Sequence, residues 1–284
     1  MKIRLWTDAK MANIALMKIA QYHRGLGDDV AFHDPLFDQD TDLLFCSKLF
    51  RFTPDYAYSG KARVVTGGTG YDITSTLPEE IDSLEPDYSI YPHCDYSMQF
   101  FSRGCVRRCP FCVVRAKEGY IYPVKPMVLN PQGNRIEILD NNFFANPEWR
   151  KAVDQIFDWG QPINLHGVDV RMLTEEQAKV LNTLPHHKQI HIAWDNPRTD
   201  IAKHILRMLK HVPAYKVMCY VLIGYWSTPE EDLYRVERLR DWGIDPFIMA
   251  FDRKDEYQRN FQRWCNHKAI FNSVKWEDYG NEAS

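Results

Sequence analysis

The sequence predicts an α/β protein in two main parts, and three observations carry that expectation. Short, continuously apolar runs alternate with longer helical or turn segments, the mark of strands buried on both faces of a parallel sheet. From Arg135 onward the strand-like runs recur about every 27 residues, the length that a strand, a helix and two turns require. Helix start and stop signals fall between them.

The first part spans 1–94. Residues 2–6 (KIRLW) read as a strand, and an apolar helical stretch over 9–24 is stopped by Gly25 and Gly27. Val30 to Phe32, Leu43 to Cys46 and Ala62 to Thr66 read as further strands, the last running into Gly67-Gly68-Thr69-Gly70. This predicts a small doubly wound, Rossmann-like domain. The second part spans 95–251, with strands starting near Tyr96, Arg135, Ile163, Gln189, Lys216 and Asp245. Asn146-Pro147 supplies a cap and a first-turn proline before EWRKAVDQIFDW. Thr174 with Gln177, and Thr228 with Glu231, match the capping box. Gly160 and Gly243 sit just past helix ends. Six strand–helix units in series imply a parallel sheet that curls, either an incomplete barrel or a doubly wound sheet, with sites at the carboxyl ends of its strands. Residues 252–284 read as a terminal helix (EYQRNFQRWCNH) and a tail.

Composition removes several classes of function. With 35 Lys and Arg against 38 Asp and Glu, the formal charge of −3 gives no global basic field for nucleic acid. Hydrophobic residues at 45% and charged residues at 26% exclude a disordered chain. No apolar run approaches the ~20 residues that span a bilayer, so no membrane association is expected. The opening MKIRLWTDAK lacks an apolar signal core. Seven cysteines, an odd number with four of them scattered, fit a reducing cytoplasm better than a disulfide framework.

The chemistry is concentrated in Ser102-Arg103-Gly104-Cys105-Val106-Arg107-Arg108-Cys109-Pro110-Phe111-Cys112. Three thiols within eight residues, spaced Cys-x3-Cys-x2-Cys on the loop after the first strand of the second part, can converge on one inorganic centre. A closed structural zinc site needs a fourth ligand, and only His93 and Cys94 lie close in sequence. A 4Fe–4S cubane held by three cysteines keeps one iron open for a substrate.

This loop resembles the cluster loop of the radical S-adenosylmethionine (radical SAM) superfamily. The glycine before the first cysteine, the spacing, and the aromatic Phe111 before the last all match. The resemblance covers about 96–251, which in that family forms a partial (βα)6 barrel. It implies that Cys105, Cys109 and Cys112 hold a 4Fe–4S cluster. It further implies that S-adenosylmethionine is cleaved reductively to methionine and a 5′-deoxyadenosyl radical, which takes hydrogen from a substrate. A flavodoxin- or ferredoxin-like electron donor follows as a partner, because this reduction needs the low end of cluster potentials.

Other positions are matched by place. Asp140, Asn141 and Asn142 end the second strand, where relatives hold the methionine amino group; here the usual glycines are missing. Asp169 and Arg171 follow the third strand and either meet the ribose and the methionine carboxylate or pair with each other. His166, just before them, reads as a structural histidine. Asp195 ends the fourth strand, near the ribose or substrate. Gly224 follows the fifth, on the adenine side. Phe111, Asp140, Asn141, Asn142, Asp169, Arg171, Asp195 and Gly224 are thus the expected nucleotide-pocket residues.

Residues 1–94 resemble the cobalamin-binding-like domain that precedes the barrel in one branch of the superfamily. Its cobalt-ligating Asp-x-His pattern is absent, and Thr7-Asp8-Ala9-Lys10-Met11-Ala12-Asn13 stands there instead. A cobalamin-dependent methyltransferase is one alternative function, and a non-catalytic metal-binding scaffold is another. Basic residues between Arg103 and Lys125, and Arg259, Phe261, Arg263, Trp264, His267 and Lys268 near the end, suggest a nucleoside or nucleic-acid substrate. A solvated loop and an amphipathic closing helix are the competing readings.

Overall fold

The computed structural model describes residues 1–279. The chain divides into two compact units. The first comprises Met1–Met98 with Val113–Gly119 and Lys125–Asn134; the second comprises Gln99–Cys112, Tyr120–Val124 and the chain from Arg135 onward.

In the first unit, β1 (Lys2–Thr7), α1 (Ile14–Gly25), β2 (Asp29–Phe32), β3 (Leu43–Ser47) and β4 (Arg63–Gly67) build a parallel sheet of order β2-β1-β3-β4. Asn13 starts α1 by accepting a hydrogen bond from the Leu16 N–H. Leu16, Met17, Ile19, Ala20 and His23 are buried at helical spacing along it. The doubly wound expectation holds as a parallel α/β sheet, but only β1 and β2 are joined through a helix. The link from β2 to β3 and that from β3 to β4 carry prolines and lack a 3.6-residue apolar period, so nothing drives a helix there. The short helix α2 (Glu79–Asp82) follows β4.

β5 (Tyr96–Gln99) runs across the division between the units. β6 (Ser102–Arg103) and β7 (Tyr122–Pro123) pair antiparallel in the second unit, while α3 (Val114–Glu118), between them in sequence, belongs to the first. The second unit then alternates strictly: β8 (Arg135–Ile138), α4 (Trp149–Trp159), β9 (Ile163–Leu165), α5 (Glu175–Thr183), β10 (Ile190–Ala193), α6 (Ile201–Leu209), β11 (Val217–Ile223), α7 (Pro229–Asp241) and β12 (Asp245–Ala250). β8 pairs with β9, and β10-β11-β12 form a second parallel sheet. An isolated parallel bridge between Val168 and Ile192 links the two. Among the described residues no pairing closes these strands into a barrel.

The strands have two different faces. On β11, Val217, Cys219, Val221 and Ile223 are fully buried on the side of α7, where Val236 and Leu239 are equally buried. The alternate residues Met218, Tyr220 and Leu222 are only half-buried.

Both capping boxes form as the sequence predicts, at Thr174–Gln177 and Thr228–Glu231, and Gly160 closes α4 in a left-handed conformation. Asn146 does not cap α4, which starts three residues later. Its side chain accepts from the Glu148 N–H and donates to the Phe101 carbonyl. A tertiary acceptor has recruited a residue that local pattern assigns to a helix end. After β12, α8 (Glu256–Asn266), α9 (Lys268–Ser273) and α10 (Trp276–Tyr279) complete the second unit. The exposed edge of β12 is covered, because Asn266 accepts from the Ile248 N–H at 2.7 Å and Gln262 donates to its carbonyl at 2.9 Å. Phe261 and Trp264 are fully buried with Phe271 and Trp276 around them. These rings are core, so they do not form the nucleotide-stacking platform that their spacing among basic residues suggests. The final five residues of the expected tail lie outside the described residues.

Candidate functional site

The cysteine loop leaves β6 and turns tightly. The Arg107 N–H lies 3.4 Å from Cys105 Sγ, and the Cys112 N–H donates to the Cys109 carbonyl at 3.0 Å. Cys105 and Cys109 are half-buried and Cys112 is exposed. Burial pushes the Cys109 thiol up, Arg171 opposes it, and Cys112, Asp195 and Cys105 add to the rise. The three sulfurs, a guanidinium and a buried carboxyl therefore lie within electrostatic reach of one another. Among the described residues no three His, Cys, Asp or Glu side chains are already set around a common point for a metal. Gathering the thiols on one centre requires the loop to draw in. Phe111 is held edge-on by Tyr225 at 5.7 Å and Trp226 at 5.4 Å, which ties the loop to the segment following β11.

Asp140 is 1% exposed just past β8. It accepts from the Phe101 N–H at 2.8 Å and from the Ser102 hydroxyl, so it anchors the start of the cysteine loop. Burial raises its pKa to about 6 despite these hydrogen bonds. The folded protein thus holds this proton more tightly than the unfolded chain does. Asp140's contribution to stability is fully present below the ordinary carboxyl value of 3.8, falls as the pH rises to about 6, and stays at that lower level above. Asp140→Asn keeps an acceptor for Phe101 and removes the buried charge. We expect it to raise stability at pH 8 by on the order of 1–3 kcal/mol, with no gain at pH 4. Urea midpoints at the two pH values check this, and equal changes at both would refute it.

Asn141 donates to the Gly104 carbonyl at 3.4 Å, a second tie between β8 and the loop. Asn142 is also 1% exposed. Its amide nitrogen contacts Met172 Sδ at 3.6 Å, but its buried Oδ1 has no hydrogen-bond partner among the described residues. A buried amide oxygen left without a donor costs about 1–3 kcal/mol, so it points to a donor from outside the described residues.

Asp169 and Arg171 pair with each other. Arg171 reaches Asp169 through Nε at 2.6 Å and Nη2 at 2.9 Å, and Arg107 of the cysteine loop adds its Nε at 2.8 Å. Burial alone would raise the Asp169 carboxyl, but these two guanidinium groups hold it below its usual range. Both of its oxygens are occupied, so the carboxylate clamps the cysteine loop to the segment after β9. Between the segments that follow β8 and β9 the backbones touch. A Cβ on Gly167 would lie 2.0 Å from the Asp140 carbonyl oxygen, so only glycine fits there.

Asp195 follows β10, and burial raises its pKa against the pull of the Leu222 backbone, Arg235 and Arg171. The fully buried Arg235 donates to the carbonyls of Trp194 at 2.7 Å, Asp195 at 3.1 Å and Leu222 at 3.0 Å, and pairs with Asp232 at 2.6 Å. Gly224 has φ +79°, and a Cβ there would overlap the Gln258 amide at 2.1 Å. Its open side is therefore already filled by α8.

Five participants were not foreseen from the sequence: Ser102, Met172, Arg235, Glu137 and His191. Arg107 was seen only as part of a basic run. Arg235 carries no local signal, since a buried arginine in PEEDLYRVERLRD looks like any other helical arginine. Glu137 and His191 do carry one, as polar residues alternating with isoleucine inside otherwise buried strands. In the first unit, the loop after β1 is tied to the end of β3 and the residues that follow it. Asp8 accepts from the Leu49 and Phe50 N–H groups, and Asn13 donates to Ser47 at 2.9 Å.

No protein-family model matches the chain, and no curated protein sequence matches it. Among the described residues no helix is long and apolar enough to cross a membrane.

Proposed function

We infer that the protein is a radical SAM enzyme whose second unit is an open, partial (βα)6 barrel, with Cys105, Cys109 and Cys112 as the ligands of a 4Fe–4S cluster. The single observation that carries this reading is the cysteine triad, spaced Cys-x3-Cys-x2-Cys on a loop whose thiols, Arg171 and Asp195 share one electrostatic neighbourhood. The residues fit both groups. Three thiols leave one iron of a cubane open, and the orphaned Asn142 Oδ1 lacks the donor that an α-ammonium group provides. A cluster held by Cys105, Cys109 and Cys112 would supply the electron needed for reductive cleavage of the S-adenosylmethionine sulfonium.

The chain's own residues do the positioning. Asn142 would accept from the methionine ammonium. Asp140 and Asn141 hold the loop at its root rather than facing a ligand, and Asp169 holds it at Arg107. Arg171 opposes the rise that burial imposes on the Cys109 thiol. Phe111, packed on Tyr225 and Trp226, holds the loop against the segment after β11. A flavodoxin- or ferredoxin-like protein would deliver the electron, and the exposed Cys112 end of the loop is its nearest approach. The substrate remains a nucleoside or nucleic acid only as a class to be tested, since the terminal aromatic residues offered for it are buried.

The test is anaerobic reconstitution of the full chain with iron and sulfide. We expect about four irons per chain, and, after dithionite and S-adenosylmethionine, release of 5′-deoxyadenosine and methionine. Fully loaded protein that releases neither would refute an enzymatic role and leave a metal-binding scaffold.

A further inference from the structure

Across the sheet face away from the helices, the second unit carries a polar row that the cluster chemistry does not use. Glu137 on β8 lies between the fully buried Ile136 and Ile138, and His191 on β10 between the buried Ile190 and Ile192. Asn164 lies opposite Glu137 in register, and His166 follows just past β9. Glu137 accepts from Asn164 Nδ2 at 2.7 Å and lies 2.8 Å from His166 Nε2. His166 Nδ1 lies 3.0 Å from His191 Nδ1, so the chain of hydrogen bonds crosses from one sheet to the other.

The proton positions follow from chemistry. Burial would raise the Glu137 carboxyl, but His166, Asn164 and Arg135 outweigh it and keep it ionised at neutral pH. A carboxylate can only accept, so His166 Nε2 carries a hydrogen. Two imidazole nitrogens 3.0 Å apart must share one proton. With His166 neutral, that proton sits on His191 Nδ1, and the lone pair of His191 is on Nε2. That atom has no hydrogen-bond partner among the described residues. The His191 ring lies beside Tyr220 at 5.3 Å, and Tyr220 meets Phe247 edge-on at 5.6 Å. One oriented acceptor next to an aromatic wall is the usual make-up of a small-molecule site.

We propose that His191 Nε2 accepts the hydrogen bond, and in reaction the proton, of a hydroxyl or ring N–H group on a small uncharged aromatic molecule lying against Tyr220, with Glu137 and His166 as positioning residues. The donor's O–H or N–H bond breaks, its electron pair stays on the donor atom, and an N–H bond forms at His191 Nε2. His191 Nδ1 passes its proton to His166 Nδ1, which leaves the imidazolium beside the Glu137 carboxylate. The charged and titratable groups facing this pair are Glu137 and Arg135 from β8, Lys188 before β10 and Tyr220 from β11. Burial, His166 and Lys188 push His191 down to about 4, while Glu137 pulls the other way. The Glu137 carboxylate lies against the His166 ring and not the His191 ring, so the relayed proton comes to rest beside it. This inference stands on the sheet-face geometry and not on the cysteine loop.

The experiment is nitrogen-15 NMR of the histidine rings in the metal-free full chain, assigned by His166→Phe and His191→Phe. We expect the Nδ1–H tautomer at His191 and one protonation step that moves both rings together. Phenol should shift the His191 signals, and anisole, which has the same ring but no donor, should not. Glu137→Gln should scramble the tautomer and weaken phenol binding about tenfold or more, with Glu137→Asp restoring part of it. An Nε2–H tautomer at His191, independent titrations, or equal responses to phenol and anisole would overturn the proposal. None of these readouts depends on bound iron, so such a failure would leave the cluster reading standing.

Discussion

Replacing Arg235 by leucine is expected to lower the unfolding free energy by about 3–5 kcal/mol and the melting temperature by on the order of 10 °C. The side chain has no solvent exposure, and its partner Asp232 has almost none. Leucine fills much of the volume but donates nothing. It strands the Asp232 carboxylate in an apolar interior and leaves the carbonyls of Trp194, Asp195 and Leu222 without this donor. Of that cost, the uncompensated carboxylate is the larger share. Asp232→Asn combined with Arg235→Leu should therefore recover stability relative to Arg235→Leu alone, because it removes the buried charge and the Tyr257 hydroxyl keeps a partner. Thermal and urea unfolding of the three variants measure this directly. A loss below about 1 kcal/mol for Arg235→Leu would mean that the three carbonyls find other donors. The effect reaches the site as well, because Arg235 fixes the chain ends of β10 and β11, on which Asp195 and Gly224 sit.

The contrast between Thr228 and Arg235, seven residues apart, shows which features the sequence makes legible. Thr228 and Glu231 satisfy each other within one turn, so the pattern contains the whole interaction. Arg235 depends on carbonyls from two other strand ends, and nothing nearby in sequence marks it. The alternation from β8 to β12 was legible for the same local reason, since each strand and helix announces its own length and burial. Asn146 marks the boundary case. Its local pattern favours a cap, and the Phe101 carbonyl outcompetes that role. At the candidate site, the cysteine spacing was fully legible and the identity of Asp169 and Arg171 partly so, while their joint pairing with Arg107 needed two segments distant in sequence brought together. The Glu137–His166–His191 chain was hidden because it depends on the register of β8 with β9 and on the bridge joining β9's end to β10. Phe261 and Trp264 misled in the other direction. Interleaved with arginines they resemble a stacking surface, but their three-residue spacing turns both rings inward on one helical face.

The largest functional effect is expected from single replacement of Cys105, Cys109 or Cys112 by alanine. Each should abolish stable cluster loading and reduce S-adenosylmethionine cleavage by on the order of a thousandfold or more, since every one of the three would ligate an iron that no neighbouring side chain can take over. The remaining four cysteines provide the internal control. Cys46, Cys94, Cys219 and Cys265 are all buried. Burial pushes the Cys46 thiol up to about 11 and raises those of Cys219 and Cys265 further, so they stay protonated and are poor ligands. Alanine at these positions should cost packing alone, about 1 kcal/mol each, and leave the iron content unchanged. Exposure predicts an order within the triad too: a maleimide should modify Cys112 first in the metal-free protein, and reconstitution should protect it. Iron and sulfide analysis, product release and labelling mass spectrometry across the seven variants decide the matter. If any scattered cysteine proved necessary for iron retention, the cluster would have a fourth protein ligand and no open iron. Radical cleavage at that iron would then be excluded by the same thiol chemistry that now argues for it.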